Sequence, residues 1–150
     1  IKEIYVNGSV FIEPRLKNIN DIDNAIITLE LSNGVLCTID SSRQTHFGYD
    51  QRIEVFGSEG MMSIKNKKNN LYSLSDKKHT RTSKIKESFI ERYENSYLDQ
   101  LKHFYTCIIN KSKPSVNPKN ILDAIQVAAA GNESLKINEP VMVKRWKWLT

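Results

Sequence analysis

Few side chains in this 150-residue chain have the type and spacing to do chemistry. Asp99 and His103 stand at i and i+4 of a helical pattern, so they share a face, and a carboxylate there could orient an imidazole as a general base. Both flank the apolar stripe of that helix, however, and a solvated pair is the preferred reading. Tyr49 lies in Gly48-Tyr49-Asp50 at the end of a strand. Its phenol could donate to a hydroxylated ligand or equally cap a sheet edge. Tyr97 belongs to the stripe itself, where an aromatic is usually core. His46 and His79 fall in loops with no partner obvious from spacing and read as surface histidines.

Much chemistry is excluded. The sequence has no G-x-G-x-x-G and no P-loop, and Gly57-x-x-Gly60 is explained by a β-turn. No His, Cys, Asp or Glu cluster has metal-ligand spacing, and no serine sits in a strained elbow beside a base. Cys37 and Cys107 read as two small buried thiols, which favours a reducing compartment. No stretch approaches the roughly 18 apolar residues of a membrane span. The formal charge of +5 is local: from Lys65 to Arg92 nine basic residues face three acidic ones, and the remainder nets to −1. That Asn/Lys/Ser-rich segment has the composition of a solvated hairpin or long loop, about 65–88, rather than a nucleic-acid face.

The elements that must position these residues follow from periodicity. Ile4 to Ile12 favours a strand, with Asn7-Gly8 as a bulge or turn and Pro14 closing it. Ala25 to Leu31 alternates, Asn33-Gly34 is a hairpin signal, and Val35 to Asp40 returns. Gln51 to Phe56 and Met61 to Ile64 continue an antiparallel meander. The period then changes. Ile90, Tyr93, Tyr97, Leu98, Leu101, Phe104, Tyr105 and Ile108 predict a long helix with one buried apolar face. Asn117-Pro118 opens a second helix with a buried stripe of Ile121, Leu122, Ile125, Ala128, Ala129 and Leu135. Pro140 ends it, Val141 to Val143 forms a short closing strand, and 144–150 is a basic tail carrying Trp146 and Trp148. Strands first and helices last argue an α+β domain over 1–143: an open, mostly antiparallel sheet with helices packed on one face.

The runs Asp23 to Leu29, Asn33-Gly34, Ile39 to Arg43 and Gly48 to Gly60, with Phe89 to Tyr97, Phe104, Pro114 to Val116, Asp123-Ala124 and Ala128-Ala129, carry a resemblance. Together they resemble the C-terminal domain of the glucose-fructose oxidoreductase / inositol dehydrogenase / MocA (Gfo/Idh/MocA) family, most closely its inositol 2-dehydrogenases. The resemblance implies a domain that follows a Rossmann NAD-binding domain, covers the nicotinamide with its sheet, and forms homo-oligomer interfaces through that sheet. It implies a cytoplasmic enzyme in which NAD takes a hydride from C2 of myo-inositol. The family's Glu-Lys-Pro lysine and Asp-x-x-x-His pair fall before the position where this sequence starts. On that reading no catalytic, cofactor-binding or metal residue lies in the chain, and the chain alone is inactive.

Asp99 and His103 reproduce the acid–histidine spacing on a later helix, so the role does not transfer to them. Tyr49 and Tyr97 match positions associated with polyol binding, although Gln100 stands where the family often has glutamate. The absence of an initiator methionine before Ile1 fits a cut chain. The alternatives are another sugar or cyclitol dehydrogenase of the family, or a non-catalytic domain that binds an acidic partner through 65–92.

Overall fold

The computed structural model describes residues 1–144; Trp146 and Trp148 of the expected tail lie outside them. The class is α+β with antiparallel sheets. The strands are β1 (Glu3–Ser9), β2 (Asn24–Glu30), β3 (Leu36–Ser42), β4 (Ile53–Gly57), β5 (Gly60–Ile64), β6 (Ser73–Ser75), β7 (Thr80–Thr82) and β8 (Val141–Met142). The helices are α1 (Phe89–Ile109) and α2 (Pro118–Ile137). Two compact units result: residues 1–44 with the chain from Pro114 onward, and residues 45–113.

In the first unit the order β3-β2-β1-β8 makes a four-stranded sheet, antiparallel throughout. Alternation along β1 turns Ile4 and Val6 inward, where they meet Leu29, Ala130 and Val141. Helix α2 covers this face, but not with the stripe its larger residues suggested. Ile121 and Ile125 are exposed, and Gln126, Ala130, Gly131 and Ser134 are buried instead. Residues 126, 130 and 134 recur every fourth position with 131 beside them, which is also helical, and the small Ala130, Gly131 and Ser134 let the helix approach the strands closely. Asn117 caps the helix by accepting from the Asn120 N–H, while the Asn120 side chain accepts from Asn117 in return.

Ser134, fully buried, ties the two layers together. Its hydroxyl accepts from the Val6 N–H at 3.0 Å and donates to the Glu139 carbonyl at 2.7 Å. Ser134→Ala leaves the Val6 N–H and the Glu139 carbonyl without this partner at once, and thermal or urea unfolding should show a loss of about 2 kcal/mol. An unchanged midpoint would mean that water replaces the hydroxyl.

Two strand expectations need correction. Gly8 forms no bulge: it pairs with Ala25 in unbroken register. A Cβ there would lie 2.5 Å from Ile22 Cδ1 and 3.0 Å from Leu135 Cδ1, so glycine lets those two side chains close over the strand and a larger residue would make their ends shift. The strand also stops at Ser9 rather than Ile12. Asp23, buried, draws Phe11, Ile12 and Glu13 off the sheet by accepting their three N–H groups at 2.8 Å each. A 3₁₀ turn, Pro14–Ile19, follows. Burial pushes the Asp23 carboxyl up, yet bonds from the backbone of Glu13, Phe11 and Ile12 and from the Asn24 side chain outweigh it and hold the pKa at about 2.

The meander does not continue past β3. β4 and β5 pair only with each other, joined through Gly57-Ser58-Glu59-Gly60, and β6 and β7 form a second hairpin within the Lys/Asn-rich segment. An isolated bridge between Lys68 and Ile85 extends that second hairpin. Both hairpins belong to the second unit, as does α1. Among the described residues only Arg92 and Cys107 of α1 are buried, so the apolar stripe expected to be core is open, with Leu101 and Tyr105 each 67% exposed.

Candidate functional site

The Gly48-Tyr49-Asp50 turn is built against the first turns of α1. Ser88 caps that helix, its hydroxyl accepting from the Glu91 N–H at 3.2 Å, and the Glu91 carboxylate accepts from the Glu87 N–H at 3.0 Å. The chain just before the cap receives the turn: the Tyr49 N–H donates to the Lys86 carbonyl at 2.8 Å. The Thr45 hydroxyl donates to the Gly48 carbonyl, closing the loop upstream of Tyr49. Gly48 has φ +124°, and a Cβ there would sit 2.5 Å from Ile85 Cγ1 and 3.0 Å from the Lys86 carbonyl oxygen. No other residue type fits that backbone and that gap.

Tyr49 is half-buried between two rings of α1. Its centroid is 6.4 Å from Phe89 at a tilt of 59°, and 6.2 Å from Tyr93 at 81°, an edge-on contact. Tyr97 stands one helical turn beyond Tyr93 and is 46% exposed, not core. The structure thus brings Tyr49 to Phe89 and Tyr93, and Tyr93 occupies the place between the two tyrosines expected to act. Sequence reasoning passed over Tyr93. The i, i+4 series Phe89, Tyr93, Tyr97 was a signal that could have found it.

Behind Tyr49 the polar groups form one network. The Asp50 carboxylate accepts from Arg52 Nε and a terminal nitrogen, both at 2.8 Å, and from the Asn66 side-chain amide. The Arg52 hydrogen bonds hold the Asp50 carboxyl below the usual carboxylate range against the opposing effect of burial, with Asn66 and the Arg92 charge assisting. Asn66 Oδ1 accepts from the Gln51 N–H and from Arg92, each at 2.9 Å. The second terminal nitrogen of Arg92 donates to the Gln51 carbonyl at 2.7 Å. Arg92 is itself buried, with its guanidinium carbon 5.9 Å from the Tyr93 ring centre. The basic run 65–92 is therefore not solvated at its last member.

The remaining candidates separate. Asp99 is exposed and 3.9 Å from Lys102, while His103 Nε2 lies 3.6 Å from Cys107 Sγ. His46 lines a cavity of about 260 Å³ with Thr45, Phe47, Gly48, Lys84 and Glu87. His79 stands in the β6–β7 turn, its backbone N–H donating to Asp76. Both cysteines are free thiols, Cys107 buried and Cys37 only half-buried. Among the described residues no three acid, imidazole or thiol side chains converge as a metal site, and no helix is long and apolar enough to cross a membrane. The Gly57 to Gly60 turn joins two strands, with Glu59 at its tip, and opens no helix whose N–H groups could receive a pyrophosphate.

Known proteins match this chain over nearly its whole length. Residues 5–143 match the profile of the oxidoreductase family, C-terminal alpha/beta domain (GFO_IDH_MocA_C). The myo-inositol 2-dehydrogenase of Thermotoga maritima is 33% identical over 144 residues, which are 96% of this chain and 43% of that protein. The scyllo-inositol 2-dehydrogenase (NAD(+)) of Bacillus subtilis is 25% identical over 95% of this chain and 42% of its own length. Among solved structures, a myo-inositol dehydrogenase from Corynebacterium glutamicum superposes with a TM-score of 0.90 at 31% identity, covering 97% of this chain and 44% of the other. The chain therefore spans less than half the length of the relatives it matches.

Proposed function

Since the chain belongs to the C-terminal α/β domain of the Gfo/Idh/MocA oxidoreductase family, we propose that it is the polyol-facing half of an NAD-dependent inositol 2-dehydrogenase. The observation that carries this reading is the half-buried Tyr49, held in place by backbone and ring contacts at one end of α1, with Tyr97 on the same helix. A phenol both donates and accepts, which suits it to the ring hydroxyls of a cyclitol. In the proposed enzyme the cofactor half supplies the hydride acceptor and the groups that take the alcohol proton. The residues of this chain bind and orient the polyol. Assembly of copies through the sheet and a cytoplasmic setting belong to the same proposal.

Kinetics of the full-length dehydrogenase test it. Tyr49→Phe and Tyr97→Phe each delete one hydroxyl, and each should raise KM for myo-inositol about tenfold, equivalent to about 1.4 kcal/mol. KM for NAD should stay unchanged. The 150-residue chain by itself should give no NAD reduction, and measurable turnover by it would overturn the division of labour. A panel of cyclitols and sugars distinguishes myo-inositol from related polyols: a better substrate elsewhere in the panel transfers the reading to another member of the family.

A further inference from the structure

We propose that Arg92, acting with Asn66, is the positioning residue that sets the Tyr49 phenol. The polyol role of that phenol rests on the reading above, but the positioning rests on geometry. Tyr49 is fixed on its upstream side by the Gly48 turn and by its own N–H on Lys86. Downstream, the backbone two residues on is held at both its polar groups. The Gln51 N–H is taken by Asn66, the Gln51 carbonyl by Arg92, and Arg92 joins Asn66 to close the triangle.

Arg92 also reaches Tyr49 by a second route. Its side chain lies against the Tyr93 ring, whose edge-on contact orients the Tyr49 ring. One buried cation therefore constrains the tyrosine from the backbone and from the ring side together. Asp50 sits within the same network, paired with Arg52 and feeling the Arg92 charge as well, while the groups Arg92 itself bonds are neutral oxygens. Only arginine suits this place. Its planar fork serves Asn66 and the Gln51 carbonyl from separate nitrogens, whereas a lysine presents one point charge on a flexible stem.

The test uses Arg92→Lys and, because a buried cation is at stake, Asn66→Ala as a second variant that leaves α1 intact. Both are taken forward only with native circular dichroism. The first measurement is the ¹⁹F spectrum of 3-fluorotyrosine placed at position 49. A shifted or broadened signal in both variants is expected, and an unchanged signal in both overturns the proposal.

The second measurement is steady-state kinetics of the full-length dehydrogenase. Arg92→Lys should raise KM for myo-inositol about fivefold with kcat little altered, and should add less than twofold in the Tyr49→Phe background. Equal effects in both backgrounds would show that Arg92 acts independently of Tyr49 and sink the proposal. If instead Tyr49→Phe leaves KM unaltered while the ¹⁹F signal still responds to Arg92, the polyol reading fails and the positioning stands.

Discussion

Replacing Gly48 by alanine should remove about 3 kcal/mol of stability from the unit formed by residues 45–113. Two costs combine. A side chain at φ +124° is strained, and the added methyl would overlap Ile85 and press on the Lys86 carbonyl. Relief is costly. Moving the Lys86 carbonyl away breaks the bond it accepts from Tyr49, so the substitution damages the tyrosine as well as the fold. Gly57→Ala is the matched control, since its Cβ would meet nothing nearer than the Gly60 carbonyl at 3.5 Å. Urea melts of the two variants should differ clearly. If Gly48→Ala unfolds at the same midpoint as Gly57→Ala, the turn at Gly48 is not constrained.

The second large effect is expected in the first unit. Asp23→Asn keeps the shape of the side chain but turns one acceptor oxygen into a donor that faces N–H groups. Asp23 has three such groups to satisfy, from Phe11, Ile12 and Glu13. Orphaning buried backbone donors belongs with the severe single substitutions, and a fall in Tm of roughly 10 °C is expected at neutral pH. The acid dependence supplies an internal check. A carboxyl held at about 2 when folded, below its ordinary 3.8, binds protons less readily in the folded state. Its contribution is therefore complete above the unfolded pKa and fades as pH falls from about 5 toward 2. The difference in Tm between wild type and variant should shrink over the same window. A constant difference would show that the exchange of an acceptor for a donor, and not the carboxylate's charge, is what the loop feels.

Much of this architecture was legible beforehand because it is local. Period-two runs at β1 to β5, the Asn33-Gly34 hairpin and the Asn117-Pro118 start of α2 each depend on neighbours in sequence. What escaped reading depends on partners far along the chain. Nothing in the run Val10 to Glu13 announces that Asp23 will take its amides, and apolar content alone favours continuing the strand. The buried face of α2 was misplaced because size was weighed above fit, and Ala130, Gly131 and Ser134 are small residues that admit a sheet. Arg92 was absorbed into a charge run by composition. Its burial follows from Asn66, 26 residues earlier, and no periodicity links the two. Tyr49 was singled out through its turn, whereas its ring partners Phe89 and Tyr93 required the fold to bring α1 beneath it.

The Gln51 clamp carries a consequence for sequence drift. Gln51 is exposed, and the bonds that fix it run to its main-chain N–H and carbonyl rather than to its amide. Position 51 is therefore open to nearly any side chain and closed to proline, which has no N–H to offer. Positions 66 and 92 are the reverse, since their side chains are the fastening. A gene under selection for this site would wander freely at 51 while its codons at 66 and 92 stayed still, and an exposed residue two positions from the tyrosine would say little about it.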